Sequence, residues 1–139
     1  MKTLNFKIAI SGFLLLTALS SCMLNCIKGS GTEAKEDRKV AAFTKIDISG
    51  GYNVTLKQDS SFSLNITTDD NVLKEIQTDV SENKLRIYNS KNVCAKNPIS
   101  IVIGIKNLEE LKGSGAIEAM SDGKLNLKDI TLDFSGAGK

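Results

Sequence analysis

Histidine and tryptophan are absent from this 139-residue chain, and proline occurs once. Without histidine the chain lacks the side chain best suited to proton transfer near neutral pH and the commonest metal ligand, which excludes most hydrolase triads. Aromatics are also sparse. Sugar sites usually recruit exposed rings, whereas here there is no tryptophan and the only tyrosines are Tyr52 and Tyr88, both expected to pack at strand faces. No apolar run is long enough to cross a bilayer: the longest, Ile8 to Leu19, falls short of the roughly 20 residues a spanning helix needs.

That short run has a better explanation. Lys2 and Lys7 precede it and Leu19-Ser20-Ser21-Cys22 follows it, the order of a charged n-region, an apolar h-region and a small-residue cleavage site. A cysteine directly after the cleavage point is the pattern of a bacterial lipoprotein, with the Cys22 thiol accepting the diacylglyceryl group. Cys26 is the poorer acceptor, because Asn25 before it is too large for the site. Several acyl chains, at about 0.8 kcal/mol per buried CH₂, anchor a protein stably. Met23 in place of aspartate favours sorting to the outer membrane.

Residues 1–21 therefore read as a signal peptide, and their removal leaves 118 residues, enough for one small domain. Two of the 18 basic residues leave with it, so 16 remain against 16 acids and the formal charge of +2 disappears. That balance removes the electrostatic basis for nucleic-acid binding. Residues 22–39 are expected to form a lipidated flexible tether, from Gly29-Ser30-Gly31 and the charge run Glu33 to Lys39. Cys26 and Cys94 are both present in an oxidising compartment, which permits a disulfide, and sequence leaves their pairing open.

Residues 40–139 form the folded domain. Ile46 and Ile48 alternate with polar neighbours, Gly50-Gly51 breaks the run, and Tyr52, Val54 and Leu56 resume it. Phe62, Leu64 and Ile66 repeat the alternation, as do Leu85 and Ile87; Ile99 to Ile105 give the longest case, entered from Pro98. Between them Val72, Leu73 and Ile76 are spaced for a single helical turn with Asp69 or Asp70 near its N-cap.

Candidate chemistry is thin. Asp69 and Asp70 are adjacent carboxylates, which project differently and serve as caps more readily than as an acid/base pair. Asp69, Asp70, Asn71 and Asp122 offer hard oxygen ligands, yet neither an EF-hand loop nor a nonapeptide calcium repeat surrounds them. Gly113-Ser114-Gly115 lacks the Gly-Lys-Ser/Thr of a phosphate loop. The reading is of a non-enzyme, with no catalytic residue, metal or cofactor.

The C-terminal part repeats. Leu111-Lys112-Gly113-Ser114-Gly115-Ala116 matches Leu132-Asp133-Phe134-Ser135-Gly136-Ala137 at an offset of 21 residues. A period near 20 with a glycine turn is expected for stacked β coils. Leu108, Leu111, Ile117, Leu125, Leu127, Ile130, Leu132 and Phe134 would then line one interior, with Gly115 and Gly136 at turns of positive φ.

Phe43 to Gly50, Tyr52 to Leu56, Thr68 to Leu73, Asn83 to Ile87 and both Ser-Gly-Ala segments together resemble the autotransporter-adhesin head GIN domain family, common in lipoproteins of Bacteroidetes-type bacteria. The resemblance implies an all-β fold, a right-handed single-stranded parallel β-helix with irregular N-terminal coils, and a cell-envelope location. Members usually continue through further coils, so on that pattern the chain looks truncated at Lys139. The expected function is a lipid-anchored outer-membrane protein with a non-catalytic binding or adhesion surface for a protein or glycan. A periplasm-facing structural or sensory lipoprotein is the alternative.

Overall fold

The computed structural model describes residues 25–138. The signal peptide expected over residues 1–21, and Cys22 with it, lie outside the described residues. Ten strands and one helical turn follow in order: β1 (Ile27–Lys28), β2 (Glu33–Arg38), β3 (Lys45–Gln58), β4 (Ser63–Asp69), α1 (Asp70–Leu73), β5 (Ile76–Ser81), β6 (Lys84–Asn89), β7 (Val93–Cys94), β8 (Ser100–Ile105), β9 (Glu110–Ser121) and β10 (Thr131–Gly136). The all-β expectation holds, and the helical turn buries Val72 and Leu73.

β3 is the spine of the molecule. Its first half, Lys45–Ser49, pairs in parallel with β6, and its second half, Asn53–Gln58, pairs in parallel with β8. On the other side β9 runs parallel to both halves, and β10 continues the ladder on the first half of β9. The break expected at Gly50-Gly51 is instead a change of partner within one 14-residue strand. Alternation survives it: Ile46, Ile48, Tyr52, Val54 and Leu56 are all buried on the same side. All these strands belong to one branched sheet, and Ile46, Ile48, Leu85, Ile87 and Leu111 share a single buried core with Leu64, Ile66, Ile101 and Ile103.

The ladder explains the repeat. Leu132 lies beside Leu111 and Leu111 beside Ile46; Ser135, Ser114 and Ser49 form the next outward row, and Gly136, Gly115 and Gly50 the corner. Ile46 to Gly51 is thus a third rung of the same repeat, separated from the others by a long excursion through β4 to β8. All three corner glycines have positive φ.

Three expectations are corrected. The parallel ladder is only part of the fold, because β2 with β4, β4 with β8 and β5 with β6 pair antiparallel; the sheets are mixed and not closed. The interior expected over the last rungs is uneven: Leu108, Leu111 and Ile117 are buried and Leu125 and Leu127 are partly covered, whereas Ile130, Leu132 and Phe134 are exposed. The tether over 22–39 is, from Asn25 onward, part of the fold. β1 pairs with β7, Cys26 is disulfide-bonded to Cys94 with 5.6 Å between Cα atoms, and β2 is an edge strand on β4. Its charge run has a second use, since charged side chains on an edge strand discourage further pairing.

Candidate functional site

The in-register strands β6, β3, β9 and β10 turn every second residue outward and align those residues in rows. The middle row reads Arg86, Asp47, Lys112, Asp133, alternating in charge across the sheet. Above it lie Tyr88, Ser49, Ser114 and Ser135, with the Ser49 and Ser114 hydroxyls 2.8 Å apart. Below it Glu110 sits between Lys84 at 3.7 Å and Lys112 at 3.5 Å. Adjacent strands are about 4.8 Å apart, so each row is a regular polar comb, and in the middle row the charges cancel. Such a face suits a broad polar partner.

A cleft of about 470 Å³ adjoins the upper row, lined by Ser49, Gly50, Tyr88, Asn89, Lys91 and the Cys26–Cys94 bridge among others. Tyr88 is 42% exposed, contrary to the expectation that both tyrosines pack at strand faces; Tyr52 is buried as expected. The Tyr52 hydroxyl donates to Asn89 Oδ1 at 2.7 Å, and burial pushes the Tyr52 phenol well above its ordinary range. Lys91 is partnered by Glu75 at 3.6 Å.

The Asp69-Asp70-Asn71 cluster is brought to the N-terminal segment. Asp69 is fully buried and occupies the N-cap position of α1 without a side-chain cap bond. Its carboxylate instead accepts from the N–H groups of Gly31 at 2.9 Å, Lys96 at 2.7 Å and Asn97 at 3.1 Å, and from the Asn97 amide at 2.8 Å. Burial alone would raise the Asp69 carboxyl, but these four donors outweigh it and hold it below the usual aspartate range. Asp70 accepts from the Ser30 hydroxyl at 2.5 Å, and Asn71 bridges Lys28 O and Ser30 N. The cluster thus locks residues 28–31 and 96–97 to the end of β4. Asp122, the other oxygen ligand considered, lies beyond β9 with its N–H on Leu56 O. Among the described residues no group of three or more His, Cys, Asp or Glu is placed to hold a metal ion.

With this geometry in place, the family described as "Putative auto-transporter adhesin, head GIN domain" matches residues 42–139. The chain belongs to this family. The head GIN fold is seen in a crystal structure of a putative adhesin from Bacteroides fragilis, similar at a TM-score of 0.74 and 25% identity over 81% of this chain and 53% of that one. A putative lipid binding protein from Parabacteroides distasonis matches at a TM-score of 0.72 and 20% identity, over 79% of this chain and 49% of its own. A putative cell adhesion protein from Clostridium sporogenes matches at 0.52 and 20%, over 77% and 59%. This head GIN chain therefore spans about half the length of the solved structures it matches. No curated protein sequence gives a significant match.

Sequence reasoning missed several of these residues. The Arg86, Asp47, Lys112, Asp133 row depends on pairing between strands far apart in the chain. The first rung had a legible signal, since Ile48-Ser49-Gly50-Gly51 carries the Ser-Gly-small corner seen in the two later copies. The Asp69 donors carry no sequence signal, because three of the four are backbone N–H groups and all lie more than 25 residues away.

Proposed function

We propose that this head GIN protein is a non-catalytic binding protein of the bacterial cell envelope, anchored by lipid at Cys22 and engaging a polar partner through the outward combs of β6, β3, β9 and β10. The observation that carries this reading is the comb itself: three in-register rows of polar side chains on one continuous parallel face, the middle one, Arg86, Asp47, Lys112 and Asp133, alternating in charge. A face of this kind offers many weak, regularly spaced hydrogen bonds and ion pairs, which suits an extended protein or glycan better than a small substrate. Membership in a family described as adhesin heads, and the adhesin descriptions of its structural relatives, support a role at the envelope. We also read β3, β9 and β10 as rungs of a right-handed parallel β-helix, supported by their parallel register and the 21-residue offset of the repeat.

The test is protease treatment of intact cells, following this protein beside a periplasmic control, together with membrane fractionation of Cys22→Ala. Loss of the protein while the control survives is expected for a surface adhesin. Survival of both would move the comb to a periplasmic partner, and a Cys22→Ala protein still tightly bound to membranes would remove the lipid anchor.

A further inference from the structure

The chain becomes part of the fold only four residues after Cys22. Cys26 is fixed to Cys94, Ile27 and Lys28 pair with β7, and Gly29 N–H donates to Cys94 O at 2.9 Å. Only Met23, Leu24 and Asn25 separate Cys22 from the bridge. At about 3.5 Å per residue, the Cys26 Cα lies at most about 14 Å from that of Cys22, whatever path the intervening residues take. A flexible tether running to Val40 would have allowed about 60 Å.

Resting on the Cys22 lipid reading, we infer that the protein has no stalk, and that the Cys26–Cys94 end of the domain sits directly on the phospholipid headgroups of the leaflet that holds the anchor. A lipidated cysteine places its backbone at the headgroup boundary, so the groups around the bridge share that layer. They suit it. Lys28, Lys91 and Lys96 are exposed around the disulfide. Of these, Lys91 is paired with Glu75, which also accepts from the Ser90 hydroxyl at 2.6 Å. Asp70 nearby accepts from the Ser30 hydroxyl, so Lys28 and Lys96 are the ammonium groups left to face the headgroups. Lysine ammonium groups at this depth meet lipid phosphates.

The disulfide sets this distance. Behind it the segment is held by the Asn71 bonds to Lys28 and Ser30 and by the Asp69 lock at Gly31, so tension on the anchor is borne first by the Cys26–Cys94 bond. The orientation follows from β4. Its Asp69 end lies beside the bridge through Lys96, and its Ser63 end is six residues, about 20 Å, further along. The Asp59–Ser61 loop before β4 therefore lies at the end of the domain farther from the bridge, and with the bridge end on the headgroups it is the distal end. The Tyr88 and Lys91 cleft lies at the membrane end together with the Tyr88 and Ser49 part of the upper row, which leaves the middle and lower rows and the distal loop for partners in solution.

The chain has no tryptophan, so one introduced residue reports position without background. The full-length protein is purified from membranes as Asn92→Trp or Ser60→Trp and reconstituted in phosphatidylethanolamine and phosphatidylglycerol vesicles carrying a dansyl headgroup acceptor. Transfer from Asn92→Trp is expected to exceed that from Ser60→Trp several-fold, and to collapse when a ten-residue Gly-Ser spacer is inserted after Leu24. Equal transfer from the two positions, or no loss on insertion of the spacer, overturns the inference. Mass spectrometry of the same preparations separates the two readings. Protein that lacks acyl chains overturns the lipid anchor and this inference with it, whereas acylated protein with equal transfer overturns the stalkless arrangement alone.

Discussion

Gly115 lies against Gly50, its neighbour in the parallel ladder, so closely that a Cβ on Gly115 would overlap the Gly50 carbonyl oxygen. One rung on, a Cβ on Gly136 would come within 2.7 Å of the Gly115 oxygen. Gly115 also has φ +104°, a conformation side chains rarely adopt. The corner is thus a column of glycines in which Gly115 and Gly136 each leave room for the glycine of the rung before, while a Cβ on Gly50 would meet the Tyr52 ring.

Gly115→Val should therefore destabilise the domain by at least the ~1–3 kcal/mol of a strained backbone position, seen as a lower urea midpoint at unchanged slope. An unchanged midpoint would show that the corner relaxes.

Leu111 and Leu132 occupy the same place in the repeat but not in the core, being 4% and 59% exposed. Leu111→Ala should cost about 2–5 kcal/mol, as for a buried leucine, while Leu132→Ala in this chain should fall within about 0.5 kcal/mol of wild type. Equal losses in thermal denaturation would contradict the burial difference.

The Cys26–Cys94 bridge closes a loop of 68 residues. Chain-entropy reasoning gives about 4 kcal/mol for a loop of that length. The paired Cys26→Ser, Cys94→Ser protein should lose stability on that order in denaturant melts, and a reductant should have no further effect on it.

Asp69 sets an acid limit. Its folded carboxyl is held below the unfolded value of about 3.9, so the unfolded chain binds the proton more readily. Its stabilising contribution is complete above that pH and is lost as the pH falls through the folded value. Asp69→Asn should be less stable at pH 7 and show a flatter stability profile as the pH falls below about 4; a parallel profile would remove Asp69 as the titrating group.

Arg38 illustrates why part of the fold could not be read from the sequence. In a run of alternating charges it looks like linker, yet its guanidinium donates to Ile76 O at 2.7 Å, to Leu73 O at 3.2 Å and to Thr78 Oγ1 at 3.3 Å, closing the end of α1 onto β5. Those acceptors lie 35 to 40 residues away, and two of them are carbonyls that every residue possesses.

The amino-acid sequence by itself determined the β class, the inward residues of β3, β4, β6 and β8, the helical turn and the glycine corner of the repeat. These follow from side-chain alternation and turn chemistry, which act over a few neighbouring residues. The tertiary structure alone decided that β9 lies beside β3 so that Ile46 to Gly51 stacks on the two later copies, that Cys26 meets Cys94, that the supposed tether is an edge strand, and that Asp69 is a lock. Each depends on which distant segment lies alongside, and that choice is made by burying the whole set of apolar faces at once.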